Sequence, residues 1–137
     1  MKLKLSAIAL LAMIMPAQTR AATLTAAEAT FLDQLVTAGT VLAQRCTGYE
    51  EFGADGVQRG AELLGSPEAA MAMMAAFDAA IKAHDGNVYD SSKFRPEVFE
   101  AASKTSNRVL AALTKNPKAA CADYGDTSVT NGLLRRH

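Results

Sequence analysis

The sequence has no tryptophan, two histidines and two cysteines in 137 residues. Each shortage removes a class of chemistry. Without a Cys-x-x-Cys-His string, covalent haem attachment is excluded. A non-covalent haem needs axial ligands from facing elements. Only His84 and His137 are present, and His84 falls in the same expected helix as Met71, Met73 and Met74. Without Cys-x-x-Cys or a histidine cluster, neither a dithiol redox centre nor a zinc site can be assembled from local spacing. Gly-x-Ser-x-Gly, His-Glu-x-x-His and phosphate-cradling glycine loops are absent too, and no nucleophile–base pair replaces them. Glu50 and Glu51 are adjacent in an expected loop, where two carboxylates need not converge. The sequence points to no catalytic residue, metal or cofactor.

An excess of either charge is also missing, with 14 basic and 14 acidic residues. Long apolar runs are missing as well. The best, Leu5 to Met15, is broken only by Ser6 and ends at Pro16. It falls short of the roughly 20 residues needed to span a bilayer. Behind the positive Lys2 and Lys4, and ahead of Thr19-Arg20-Ala21, it has the architecture of a secretory signal. Cleavage is expected after Ala21, with Ala22 the next choice. No twin-arginine pair precedes the run. Leu42-Ala43-Gln44-Arg45-Cys46 is no lipoprotein box, because it lies far from the run and has Arg where a small residue is required. The expectation is a signal peptide over 1–21 and one periplasmic or secreted domain over 22–137. Removing Lys2, Lys4 and Arg20 leaves eleven basic residues against 14 acidic ones, which argues against nucleic-acid binding.

Two cysteines in an exported small domain are expected to pair. A Cys46–Cys121 disulfide would tie the end of the first helix to the last one. Closing so long a loop is worth about 4 kcal/mol on chain-entropy grounds. Tyrosine follows each cysteine by three positions, as Tyr49 and Tyr124, so the rings can flank the bond.

Alanine is abundant and β-branched residues are scattered, so the composition is helical. Thr25-Ala-Ala-Glu28 is a capping box. Phe31, Leu35, Leu42 and Cys46, widened by Leu32 and Val36, then repeat at helical spacing. The first helix is expected over Ala26 to Arg45, with Arg45 at its negative end. Gly48 to Gly56 reads as a loop, followed by a short helix carrying Val57, Ala61 and Leu64. Ser66-Pro67-Glu68 restarts the chain as a third helix to His84, with Met71, Met74, Phe77 or Asp78, and Ile81 on its face. Asn87 to Arg95 is a second loop. A fourth helix from Pro96 carries Val98, Phe99, Ala102, Val109, Leu110 and Leu113 inward until Asn116-Pro117. A fifth helix holds Cys121 and is expected to end at Gly125. The fold class is therefore an all-α, irregular bundle of four to five helices with one disulfide.

Two further patterns bear on ligand binding. Met71 and Met74 share a helical face, which suits core filling, an adaptable client surface or soft metal ligation. Asp85-Gly-Asn87-Val-Tyr89-Asp90 has the oxygen content of a calcium loop. Its fifth, sixth and twelfth positions are Tyr89, Asp90 and Pro96, which do not fit an EF-hand.

Cys46-Thr-Gly-Tyr49 followed by Gly53-Ala-Asp55-Gly56 resembles the Cys-x-Gly-Tyr and Asp-Gly elements of small helical periplasmic immunity proteins against secreted amidases. The resemblance covers only Cys46 to Gly56 and implies a role in restraining another protein. The expected function is protein–protein interaction with a periplasmic or envelope protein, as a binder, inhibitor or envelope-support factor. The alternatives are a small-ligand carrier with an interhelical cleft and a small periplasmic enzyme. Tyr49, Phe52, Tyr89 and Phe94 are the candidate surface residues, since these loop rings have no helical core position. The competing expectation is that they fold back onto the bundle.

Overall fold

The computed structural model describes residues 22–51 and 53–137, the side chains of 53–55 excepted. The expected signal peptide and Phe52 lie outside the described residues. The described residues form an irregular all-α bundle of five helices with one disulfide. The helices are α1 (Ala26–Ala43), α2 (Gly53–Leu64), α3 (Pro67–His84), α4 (Pro96–Lys115) and α5 (Pro117–Thr130). A short ribbon joins them: β1 (Tyr49–Glu51) pairs antiparallel with β2 (Leu134–Arg136). Among the described residues, no helix is long and apolar enough to cross a membrane.

The helix starts follow from local chemistry. Thr25 Oγ1 accepts from the Glu28 amide at 3.1 Å, and a Glu28 carboxylate oxygen accepts from the Thr25 amide at 3.0 Å. Ser66 and Asn116 cap α3 and α5 by accepting from the Ala69 and Ala119 amides, without the return bond, and each is followed by proline in the first helical position. Between α2 and α3, Gly65 turns the chain at φ 93°, a left-handed geometry that favours glycine.

Two apolar clusters make the core. Phe31, Leu32 and Val36 of α1 meet Ala70, Met73, Ala76 and Ala80 of α3, with Val98 of α4. Farther along α1, Ala38 and Val41 meet Cys46, Val109, Leu113, Ala120, Leu133 and Leu134. Tyr49, Cys121 and Tyr124 pack on this second cluster, so both tyrosines border the disulfide region. On α2, a Cβ built on Gly60 would lie 2.5 Å from Ala70 Cβ and 2.6 Å from Phe31 Cζ. The missing side chain is what lets α2 sit on α1 and α3.

The structure corrects four boundaries or faces. First, α1 ends at Ala43, and Arg45 takes φ 78° in the turn that delivers Cys46 to Cys121. Second, Gly48–Gly56 is not one loop, because it holds β1 and the start of α2. The strand forms only because Leu134–Arg136 returns beside it, across more than eighty residues of sequence. Third, α3 is rotated relative to the expected face. Ala70, Met73, Ala76, Ala79 and Ala80 are buried and Met74 and Phe77 of the expected face are half-buried, while Met71 is 59% and Ile81 44% exposed. Small side chains allow close helix approach, and here that outweighed the larger apolar residues. Fourth, α5 continues through Gly125 to Thr130.

Gly125 is in the helix interior for a packing reason. The Tyr49 ring lies directly on it, and a Cβ built there would overlap that ring. Alanine normally favours a helix over glycine by about 1 kcal/mol. Here Gly125→Ala is expected to destabilise by about 1–3 kcal/mol through overpacking. Gly39→Ala on α1 is the control, since its Cβ would meet no atom within 4 Å. Thermal melting should show the two alanine variants shifting in opposite directions. A stabilising Gly125→Ala would contradict the packing.

Candidate interaction surface

The α3–α4 connection is ordered by its own polar groups. Asp90 Oδ1 accepts from the Ser92 amide at 3.0 Å and from the Ser92 hydroxyl at 2.6 Å. Those two donors hold the Asp90 carboxyl below its usual range. The Lys93 and Phe94 amides close turns onto the carbonyls of Asp90 and Ser91. This is a side-chain-stabilised turn of the Asx kind.

The turn sits on a ladder of rings. Tyr89 and Phe94 have centroids 5.6 Å apart, Phe94 and Phe99 6.3 Å, and Phe99 and His84 6.0 Å. All three contacts are tilted, a favoured geometry for ring quadrupoles. Phe94 is half-buried and Tyr89 38% exposed. Beside them Val88 stands 97% exposed. The loop thus holds an apolar tip on a built support. His84, in the last turn of α3, and Phe99, which also packs on the first apolar cluster as expected, belong to that support.

Tyr49 is elsewhere and is otherwise engaged. Its hydroxyl donates toward the Cys121 carbonyl at 3.3 Å and Asp126 Oδ1 at 3.1 Å. Arg136 lies over its ring, 5.8 Å from the centroid, and also pairs with Asp126. Burial, then the Asp126 contact, pushes the Tyr49 phenol above its ordinary range. Tyr49 therefore ties β1 to α5 and is not brought together with Tyr89 and Phe94. Glu50 and Glu51 alternate along β1, so their carboxylates point apart. Glu50 faces Arg135 at 3.7 Å and His137 at 4.0 Å.

An open groove runs between α1, α3 and their neighbours. It has two lobes of about 510 and 650 Å³, which share Gly39, Ala43, Phe77 and Ile81. The second lobe ends at His84, Asp85 and Phe99, at the foot of the ring ladder. The rotation of α3 opens this groove by leaving Ile81 outside the core. Among the described residues, no group of three His, Cys, Asp or Glu side chains could hold a metal ion.

Comparison of the chain with family models, curated proteins and solved structures gives no match. Function must therefore be argued from the surface itself.

The loop is fastened at its far end by ions. Arg95 donates to both Glu28 oxygens at 3.2 Å and to Glu97 Oε1 at 2.7 Å. This fork joins the entry to α4 with the start of α1. The Arg95 hydrogen bonds hold the Glu28 carboxyl below its ordinary range. Burial acts against ionisation of Glu97, yet Arg95 keeps it low too. A carboxyl with a lowered folded pKa adds stability above its unfolded value, 4.5 here, and loses it as pH falls through the folded value. The protein is thus expected to lose stability between about pH 5 and pH 3. Arg95→Ala should be less stable at neutral pH and should flatten that decline. Melting across this range, for both proteins, checks the sign. Parallel curves would remove the fork as the cause.

Proposed function

We propose that the chain is an exported periplasmic domain that works by binding another protein, through the loop surface around Val88 and Tyr89. The observation that carries this reading is the nearly complete exposure of Val88 on a turn fixed by Asp90, Ser92 and the ring ladder. A protein interface gains most from apolar anchors that need little ordering on binding, and a supported loop meets that condition. The signal-like start and the Cys46–Cys121 bond support an oxidising compartment. The resemblance to immunity proteins around Cys46 to Gly56 favours a restraining role. A carrier buries most of its ligand's surface. The groove beside α1 is open along its length, which favours the protein-binding reading.

Affinity capture from an envelope extract tests this. Val88→Asp and Tyr89→Ala are expected to weaken capture of the partner, with an anchor loss of about 2 kcal/mol. Melting temperatures should stay near that of the parent, since neither residue is in the core. Unchanged capture by Val88→Asp would overturn the assignment.

A further inference from the structure

The open groove has a shape and a charge that define its occupant. Its floor is the small face of α1, where Gly39 has no atom within 4 Å of a built Cβ. One wall carries Phe77 and Ile81 of α3, with Ile81 44% exposed. From Met74 to the C-cap Asp85 that wall rises through eleven residue steps, or about 16 Å, which is three helical turns. A glycine floor lets another helix backbone come close, and the apolar wall offers sites for side chains one turn apart.

The charges on the rim have one sign. Glu51, Asp78 and Asp85 line the two lobes, and among the described residues no lysine or arginine does. Lys82, outside the lining, offsets Asp78 at 2.8 Å. His84 lies 3.2 Å from Asp85. Glu51 has no ion-pair partner among the described residues. The first lobe is mostly apolar, and the second adds the uncharged polar groups of Thr40, Gln44, Ser103, Ser106 and Asn107 opposite Phe77 and Ile81. With Glu51 at one end and Asp85 at the other, this trough suits a ligand with an apolar stripe and flanking cations.

We propose that the α1–α3 groove receives a cationic amphipathic helix of the partner protein, about three turns long, with apolar residues at i, i+4 and i+7 and Lys or Arg beside them. This deepens the protein-binding reading and rests on it. The second lobe meets the ring ladder at Phe99, so a partner seated in the groove also reaches the loop carrying Val88.

The probe is a labelled synthetic leucine–lysine helix of about four turns, tested on the disulfide-intact domain by fluorescence anisotropy. A twin peptide has every lysine replaced by glutamate. The lysine peptide is expected to bind, and more weakly as salt rises. The glutamate twin should bind at least about tenfold more weakly. Gly39→Leu fills the floor, and leucine suits a helix better than glycine. It should weaken peptide binding about tenfold or more without lowering the melting temperature. Glu51→Lys and Asp85→Lys should each weaken binding, while Val88→Asp should leave it unchanged.

Equal binding of the two peptides, or unchanged binding by Gly39→Leu, would overturn the proposal. So would binding of monomeric dodecyltrimethylammonium in the groove without binding of the peptide, which would indicate a carrier. If envelope capture depends on Val88 while Gly39→Leu alters neither capture nor peptide binding, the groove proposal fails and the loop reading stands. If the peptide binds as expected while Val88→Asp leaves capture unchanged, the loop assignment fails and the groove stands.

Discussion

Replacing Cys46 and Cys121 together by alanine is expected to cost about 4 kcal/mol of stability, the largest single effect in this domain outside its apolar core. The two residues are 75 apart in sequence, and their Cα atoms are 5.4 Å apart. The bond encloses α2, α3 and α4, so cutting it frees most of the chain in the unfolded state. Native contacts are lost as well, because Cys46 is buried against Val41, Val109 and Leu134. A loss of this size lowers the melting temperature by on the order of 15 °C. Denaturant unfolding of the parent and the double variant, with m-values compared, provides the measurement. A loss below about 1 kcal/mol would show that the enclosed chain gains little from closure. Reduction of the parent protein should reproduce the effect without any mutation.

Phe31→Ala is expected to cost about 3–5 kcal/mol. The Phe31 ring is fully buried where α1, α2 and α3 meet, and Gly60 and Ala70 leave it room. Removing it vacates a volume that helices fixed by caps at both ends of α3 cannot readily fill. The Gly60 geometry allows a sharper test. Alone, Gly60→Ala should destabilise by about 1–3 kcal/mol, since its methyl would press on Phe31 and Ala70. In the Phe31→Ala background that cost should shrink, because one of the two clashes has gone. The Ala70 clash should remain. Additive effects in a double-mutant cycle would show that Phe31 and Gly60 do not share the same space.

The groove and the loop were legible to different degrees. Tyr89 and Phe94 could be singled out because rings between two helices have no core register of their own. Their support could not, since Phe99 and His84 join the ladder only when α3 and α4 pack side by side. Val88 lay within the same stretch, but exposure is a property of what fails to cover a residue. Tyr49 looked equivalent to Tyr89 by its loop setting. Its fate was decided by Gly125, seventy-six positions later, whose missing side chain receives the ring.

What the sequence determined by itself is local or nearly so. Thr25-x-x-Glu28, Ser66-Pro67 and Asn116-Pro117 start helices because each supplies acceptors to backbone donors within one turn. The cysteine pair followed from elimination, there being no other partner for either thiol. What only the tertiary structure decided depends on distant pieces of chain meeting. β1 exists because β2 returns to it, since a three-residue strand cannot satisfy its backbone alone. The face that α3 buries was set by how closely α2 and α4 could approach its small residues, and not only by which of its residues is most apolar. That choice turned Ile81 outward and opened the groove. Helical spacing identifies which residues share a face, but only the neighbouring helices determine which face is covered.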